Sequence, residues 1–206
     1  MRRLALTDLD REARDLFCAW AREAGLEVRI DRVGNLFARR PGTDPSRRAV
    51  MAGSHIDTQP SGGKFDGNYG VLAALEVIRT LDDAGVRTAA PLEVAVWTNE
   101  EGSRFQPVMM GSGAFAGAFS VESVLAARDL DGRSVGEELA RIGYAGAAAC
   151  GEPRPGAYFE AHIEQGPVLE DTATTIGVVS GVMGLRWFRI TVTGQDAHAG
   201  PTPMHL

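Results

Sequence analysis

The chain has 206 residues, a net charge of −6, 44% hydrophobic and 23% charged residues, the profile of one to one and a half globular domains at roughly 150 residues each. Its apolar runs fall far short of the ~20 residues that cross a bilayer, and an acidic balance with no basic stripe argues against a nucleic-acid binder. Cys18 and Cys150 lack a CxxC partner, so neither a disulfide framework nor a thiolate zinc site is expected. No apolar stretch follows Arg2 and Arg3, so a secretory signal is not expected and the cytoplasm is the expected location.

The elements follow in chain order. Thr7 or Asp8 caps a first helix whose Leu9, Ala13, Leu16, Phe17 and Trp20 recur at helical spacing and predict one apolar face, with Cys18 packed beside it. Gly25 stops it. Residues 26–30 alternate like a strand, Gly34-Asn35 turns the chain, and 36–38 return. Residues 39–48 read as a loop. Residues 49–53 form a short apolar strand that ends in Ser54-His55-Ile56-Asp57-Thr58, and a glycine-rich loop leads to a helix over 71–81 bearing Val71, Leu75 and Ile78. Residues 92–97 are a strand ending in Thr98-Asn99-Glu100-Glu101. Residues 121–143 are amphipathic and helical, broken at Asp131-Gly132. Residues 158–163 are a strand running into Glu164-Gln165-Gly166-Pro167, and 185–194 are a last strand before Gln195-Asp196-Ala197-His198-Ala199-Gly200.

Alternating strands and helices predict an α/β fold with a mostly parallel sheet flanked by helices. Three strands run straight into acidic or histidine residues: His55 and Asp57, Glu100 and Glu101, His162 and Glu164. In open α/β sheets the ligand crevice lies at the carboxyl ends of the strands. Imidazoles and carboxylates together suit zinc, manganese or cobalt. Asp66 is a carboxylate able to bridge two cations, and Asp57 is placed to take a hydrogen bond from the second ring nitrogen of His55. Adjacent residues at a strand end point in different directions. One of Glu100 and Glu101 can therefore bind metal while the other takes the proton of an attacking water and passes it to a leaving nitrogen.

These motifs carry a resemblance. Gly53-Ser54-His55-Ile56-Asp57-Thr58 with Gly62-Gly63-Lys64-Phe65-Asp66-Gly67 resembles the first metal motif of the M20-type metallohydrolases. Thr98-Asn99-Glu100-Glu101-Gly102-Ser103-Arg104-Phe105, His162-Ile163-Glu164-Gln165-Gly166-Pro167 and Ala197-His198-Ala199-Gly200 are similar to its hydantoinase/carbamoylase branch: N-carbamoyl-L-amino-acid hydrolases, β-ureidopropionases and allantoate amidohydrolases. The resemblance implies two divalent metal ions per subunit, zinc or manganese, with cobalt or nickel as alternatives. His55, Asp66 and His162 would bind the first, and Asp66 and Glu101 the second. Glu100 would be the general base and acid, Asp57 would orient His55, and Gln165 and His198 would meet substrate. A histidine at 162, where many M20 members have a glutamate, favours the carbamoylase branch.

By the same resemblance, residues 1–183 are the N-terminal part of a metal-binding catalytic domain, and 184–206 are the first strand and motif of an inserted lid and dimerisation domain. The implied activity is hydrolysis of a C–N bond in the ureido or carbamoyl group of a small molecule, by a homodimer in the full-length protein with no nucleic-acid or membrane partner. An M20 peptidase or aminoacylase, or an inactive truncated remnant, is the alternative. Family members are longer, so the chain is expected to be a fragment that is inactive alone.

Overall fold

A computed structural model describes every residue except Trp187, Arg189 and Leu206. Helix α1 (Asp8–Glu23) starts where the Thr7 hydroxyl accepts the Asp10 N–H. It ends before Gly25, whose φ of +74° is the left-handed turn that glycine adopts without penalty. The buried face is Asp10, Arg14, Phe17, Cys18 and Ala21. That corrects the expected all-apolar face, because Leu9, Leu16 and Trp20 stand 55%, 49% and 38% exposed. The reason is Arg14. Its Nε donates to Asp10 at 2.8 Å, Nη1 to the Gly34 carbonyl at 2.7 Å and Nη2 to Thr98 Oγ1 at 3.3 Å. A buried guanidinium is tolerated when its donors are filled, and hydrophobic spacing carries no trace of that pairing.

Five strands follow: β1 (Glu27–Ile30), β2 (Leu36–Arg40), β3 (Val50–His55), β4 (Leu92–Trp97) and β5 (Ala157–Phe159). They form one sheet in the order β1-β2-β4-β3-β5. The β3–β4 and β3–β5 pairs are parallel, whereas β1–β2 and β2–β4 are antiparallel. The α/β class holds, and the sheet is mixed. The five-residue link 31–35 is too short for a crossover and can join only antiparallel neighbours. Asp31 holds that link, its Oδ1 accepting from the Val33 and Asn35 N–H groups at 3.0 and 2.9 Å. The parallel half, β4-β3-β5, carries the strand ends of interest.

Helix α2 (Asn68–Asp83) connects β3 to β4 and buries Gly70, Val71, Ala74, Leu75 and Ile78, extending the expected helix at both ends. The 121–143 region resolves into α4 (Val121–Ala126) and α5 (Val135–Ile142). The break lies where Asp131-Gly132 predicts it, and Ser134 with Glu137 forms a capping box that restarts the helix. Helix α3 (Met110–Ala116) was not expected, since four of its seven residues are Gly or Ala with no amphipathic period. The main core joins α1, α2 and α5 to one face of the sheet. A smaller cluster of Phe37, Met51, Ala95, Trp97 and Phe115 lies apart from it.

Met1–Gln165 forms one compact unit and Gly166–Leu206 a second. The second holds a four-residue helix, α6 (Val168–Asp171). Among the described residues of 185–194 no strand forms, and Trp187 and Arg189 of that stretch lie outside the described residues. The described apolar side chains there, from Leu185 at 69% to Val192 at 90% exposed, have no strand to pair with, and a lone strand buries too little to hold.

Candidate metal centre

β3 and β4 end flush, with His55 opposite Trp97 in the parallel register. Beyond that line the two chains leave side by side, and the Asp57 carboxylate stitches them by accepting the Glu100 and Glu101 N–H groups, both at 3.2 Å. Asn99 takes φ +52°, a left-handed turn that asparagine tolerates, and its Nδ2 donates to the Phe105 carbonyl at 2.9 Å. Asn35 locks the same end from below, accepting the Thr98 N–H at 3.0 Å and donating to Gly111 O at 3.0 Å. Glu100 is thus held by backbone and amide contacts at a strand end.

Among the described residues, His55, Asp66 and His162 form the group able to share a cation, their ligand atoms all within 4.8 Å of one another. Asp66 Oδ1 lies 3.8 Å from His55 Nε2 and 3.3 Å from His162 Nε2. The imidazole rings stack at 6.2 Å between centroids. Each Nδ1 meets a main-chain carbonyl: Asp57 O at 2.9 Å for His55, and Ile163 O at 2.8 Å for His162. A carbonyl only accepts, so each Nδ1 carries a proton, and in the neutral ring that turns the Nε2 lone pair toward Asp66, the arrangement metal-binding histidines use. The Asp57 carboxylate itself is 3.8 Å from His55 Nδ1. Its contact with the ring is made by its main chain, and its side chain serves the Glu100-Glu101 turn.

The remaining residues fall around this group. Glu100 Oε2 is 3.5 Å from His55 Nε2, with the side chain 30% exposed. Burial raises the proton affinity of the Glu100 carboxyl, and the neighbouring His55 pulls it back only in part. Burial likewise raises the Asp57 carboxyl. Gln165 donates to Asp66 Oδ2 at 2.6 Å, which turns Oδ1 toward the histidines. The Glu101 carboxylate accepts from the Gln59 main-chain N–H at 3.2 Å and from the Gln59 side-chain Nε2 at 2.6 Å. Gln59 escaped sequence reading because a single amide after Asp57-Thr58 has no motif to mark it. His198 belongs to the second unit, where its Nδ1 accepts the Gly200 N–H at 3.0 Å. A cavity of about 610 Å³ opens beside Glu100, walled in part by Met51, Trp97, Phe115 and Tyr158 with Arg48 and Arg154.

Gly67 shows how tightly the group is built. Its φ is +65°, and a Cβ there would stand 2.5 Å from the His55 ring. Gly67→Ala is therefore expected to displace His55 and weaken cation uptake, read by calorimetric titration with Co²⁺. Unchanged affinity in a folded variant would contradict this placement of the ring. The donor set, two neutral imidazoles and one carboxylate facing a common point, fits a borderline divalent cation.

Residues 51–204 match the family described as Peptidase family M20/M25/M40, and the chain belongs to that family of metallohydrolases. Within it the likeness is to amidases of the hydantoinase/carbamoylase kind. The crystal structure of such an amidase from Burkholderia ambifaria is 58% identical, with a TM-score of 0.86 over 88% of this chain and 44% of its own. An N-carbamoyl-L-amino-acid amidohydrolase of Rhizobium meliloti is 52% identical across 99% of this chain and 49% of its own length. The allantoate amidohydrolase of Escherichia coli (strain K12) is 40% identical across 88% of this chain and 44% of its own length. The chain spans about half the length of the curated relatives it matches. No helix among the described residues is long and apolar enough to cross a membrane.

Proposed function

We propose that the full protein containing this chain hydrolyses a C–N bond in linear amides, the ureido or carbamoyl group of an N-carbamoyl amino acid, ureidopropionate or allantoate. The observation that carries this is the His55, Asp66 and His162 group with both Nε2 atoms turned to one carboxylate oxygen, and Glu100 3.5 Å from His55. When bound, a divalent cation, zinc or manganese with cobalt and nickel as alternatives, supplies Lewis acidity toward the substrate carbonyl and toward water. His55, Asp66 and His162 would hold the first cation, and Asp66 with Glu101 would contribute to a second. Glu100, whose burial favours the protonated form, takes a proton from the attacking water and delivers it to the departing nitrogen. Asp57 keeps the Glu100-Glu101 turn in place. Gln165 contacts substrate, and His198 donates to the developing oxyanion.

An N-carbamoyl amino acid plus water gives the amino acid and carbamate, which falls apart to carbon dioxide and ammonia. The similarity to N-carbamoyl-L-amino-acid and allantoate amidohydrolases supports this substrate class. The same reading has residues 184–206 open an inserted lid and dimerisation domain, and the full protein work as a cytoplasmic homodimer with no nucleic-acid or membrane partner. In the test, full-length protein is assayed for ammonia from N-carbamoyl amino acids, β-ureidopropionate and allantoate, beside a dipeptide and an N-acyl amino acid. Ureido turnover is expected, falling by about 10²–10⁴-fold in Glu100→Gln. Turnover of the dipeptide or N-acyl amino acid alone would assign a peptidase or aminoacylase instead, and unchanged rates in Glu100→Gln would remove its role as base.

A further inference from the structure

We propose that Arg3 is a positioning residue for the cation site, setting the separation of the two chain segments that carry His55 and Asp66. The proposal rests on the metal-centre reading above. Arg3 Nε donates to the Ile56 carbonyl at 2.7 Å, and Ile56 is the residue between His55 and Asp57. Arg3 Nη2 donates to Asn68 Oδ1 at 2.5 Å. Asn68 opens α2 two residues after Asp66, and its own Nδ2 donates to the Lys64 and Asp66 carbonyls, both at 3.2 Å. One planar guanidinium therefore spans the segment leaving β3 and the loop entering α2.

The main chain of Arg3 is fixed to the same place. Its N–H donates to Thr58 Oγ1 at 2.8 Å, and its carbonyl accepts the Thr58 N–H at 2.8 Å. Ile56 and Thr58 are 5% and 1% exposed, so this anchorage lies in the interior and not on a mobile surface. Arg3 touches neither the His55 ring nor the Asp66 carboxylate. It acts on the backbone that aims them, and a fork of fixed geometry suits that task where a lysine, a single point charge, reaches one acceptor at a time. Residues that orient metal ligands from behind change affinity by about 10–100-fold when removed.

The test is Co²⁺ titration of the full-length protein by calorimetry and by visible absorption, for wild type, Arg3→Met, Arg3→Lys and Asn68→Ala, with exposed Arg2→Met as control. Metal-free melting temperatures are taken alongside, and titrations run well below them. Arg3→Met, Arg3→Lys and Asn68→Ala are expected to lose about 10–100-fold in affinity and to shift the Co²⁺ ligand-field bands, while Arg2→Met matches wild type. A purely structural Arg3 would lower the melting temperature and leave affinity and bands in place, which overturns the proposal. Full rescue by Arg3→Lys also overturns it, since charge alone would then suffice. If Arg3→Met does not fold, Arg3→Lys and Asn68→Ala decide the matter. A wild-type chain that takes up no Co²⁺ sinks the metal-centre reading and this proposal with it, whereas normal uptake by wild type and variants alike sinks this proposal only.

Discussion

Asp66→Ala is expected to abolish cation binding in a chain that remains folded. Asp66 is the single carboxylate of the three-ligand group and the one member within 4 Å of both histidines, at 3.8 and 3.3 Å. It is only 6% exposed, so its charge faces the site and not solvent. Without it, two neutral imidazoles remain, and the negative charge that offsets desolvation of a dication is gone. The loss should exceed the roughly 10–100-fold seen when only a supporting residue is removed. Bound Co²⁺ or Zn²⁺ after dialysis, with far-ultraviolet circular dichroism as the folding check, decides it. A folded Asp66→Ala chain that retains the wild-type metal content would show that the cation sits elsewhere.

The largest effect on stability is expected at Glu138, far from that chemistry. Its carboxylate is 3% exposed and accepts from Arg104 at 2.7 Å, Arg141 at 3.0 Å and Arg133 at 3.3 Å. Arg104 also reaches the Ala5 carbonyl, and Arg141 the Leu6 carbonyl and Asp8, so Glu138 is the joint between α5 and the start of α1. Glu138→Ala leaves partly buried guanidiniums without their shared anion and should cost about 3–5 kcal/mol. The pH dependence has a definite sign. Burial alone would raise the Glu138 carboxyl, yet the guanidiniums outweigh it and hold it down at about 2, below the ordinary 4.5. A carboxylate with a depressed folded value contributes stability that is complete above its unfolded value and is lost as pH falls through the folded one. Glu138 thus accounts for stability lost between pH 4.5 and about 2. Urea midpoints of wild type and Glu138→Gln at pH 7 and pH 3 should converge on acidification. Equal midpoints at pH 7 would show that the arginines are satisfied without it.

The legible parts of this protein are those set by local pattern. Residues 92–97 are apolar except for Glu93 and contain no glycine or proline, and β4 occupies that span. Val71, Leu75 and Ile78 face the core as their spacing demands. His55 and Asp66 were readable because a strand end and a glycine loop flank them, and they meet in space. The buried ion pair of Arg14 and Asp10 was not, since residue type alone places both in water and only Gly34 and Thr98, distant in sequence, complete the arginine. The β1–β2 reversal was legible in the short 31–35 link, whereas the antiparallel pairing of β2 with β4 was hidden, because it joins strands more than fifty residues apart that no short turn connects. Nothing local marks Arg3, since its partners at Ile56 and Asn68 lie over fifty residues away, a separation of 53 in the nearer case.

The flush ending of β3 against β4 has a consequence for how such a site can vary over evolutionary time. Alternate residues of a strand face opposite sides, so adding or removing one residue in β3 would send His55 to the other face and bring Ser54 or Ile56 to the rim in its place. The parallel register from Val50–Leu92 to His55–Trp97 admits apolar exchanges at positions such as Val50 and Met51, but none at Gly53, where a Cβ would collide with the Ala95 main chain, and no change in count. Length polymorphism should therefore collect in the 41–48 and 84–91 connections, which precede the ladder and can absorb insertions without moving its far end. What the lineage must inherit here is a spacing between loop and rim, written in numbers of residues, with considerable freedom in the letters that fill it.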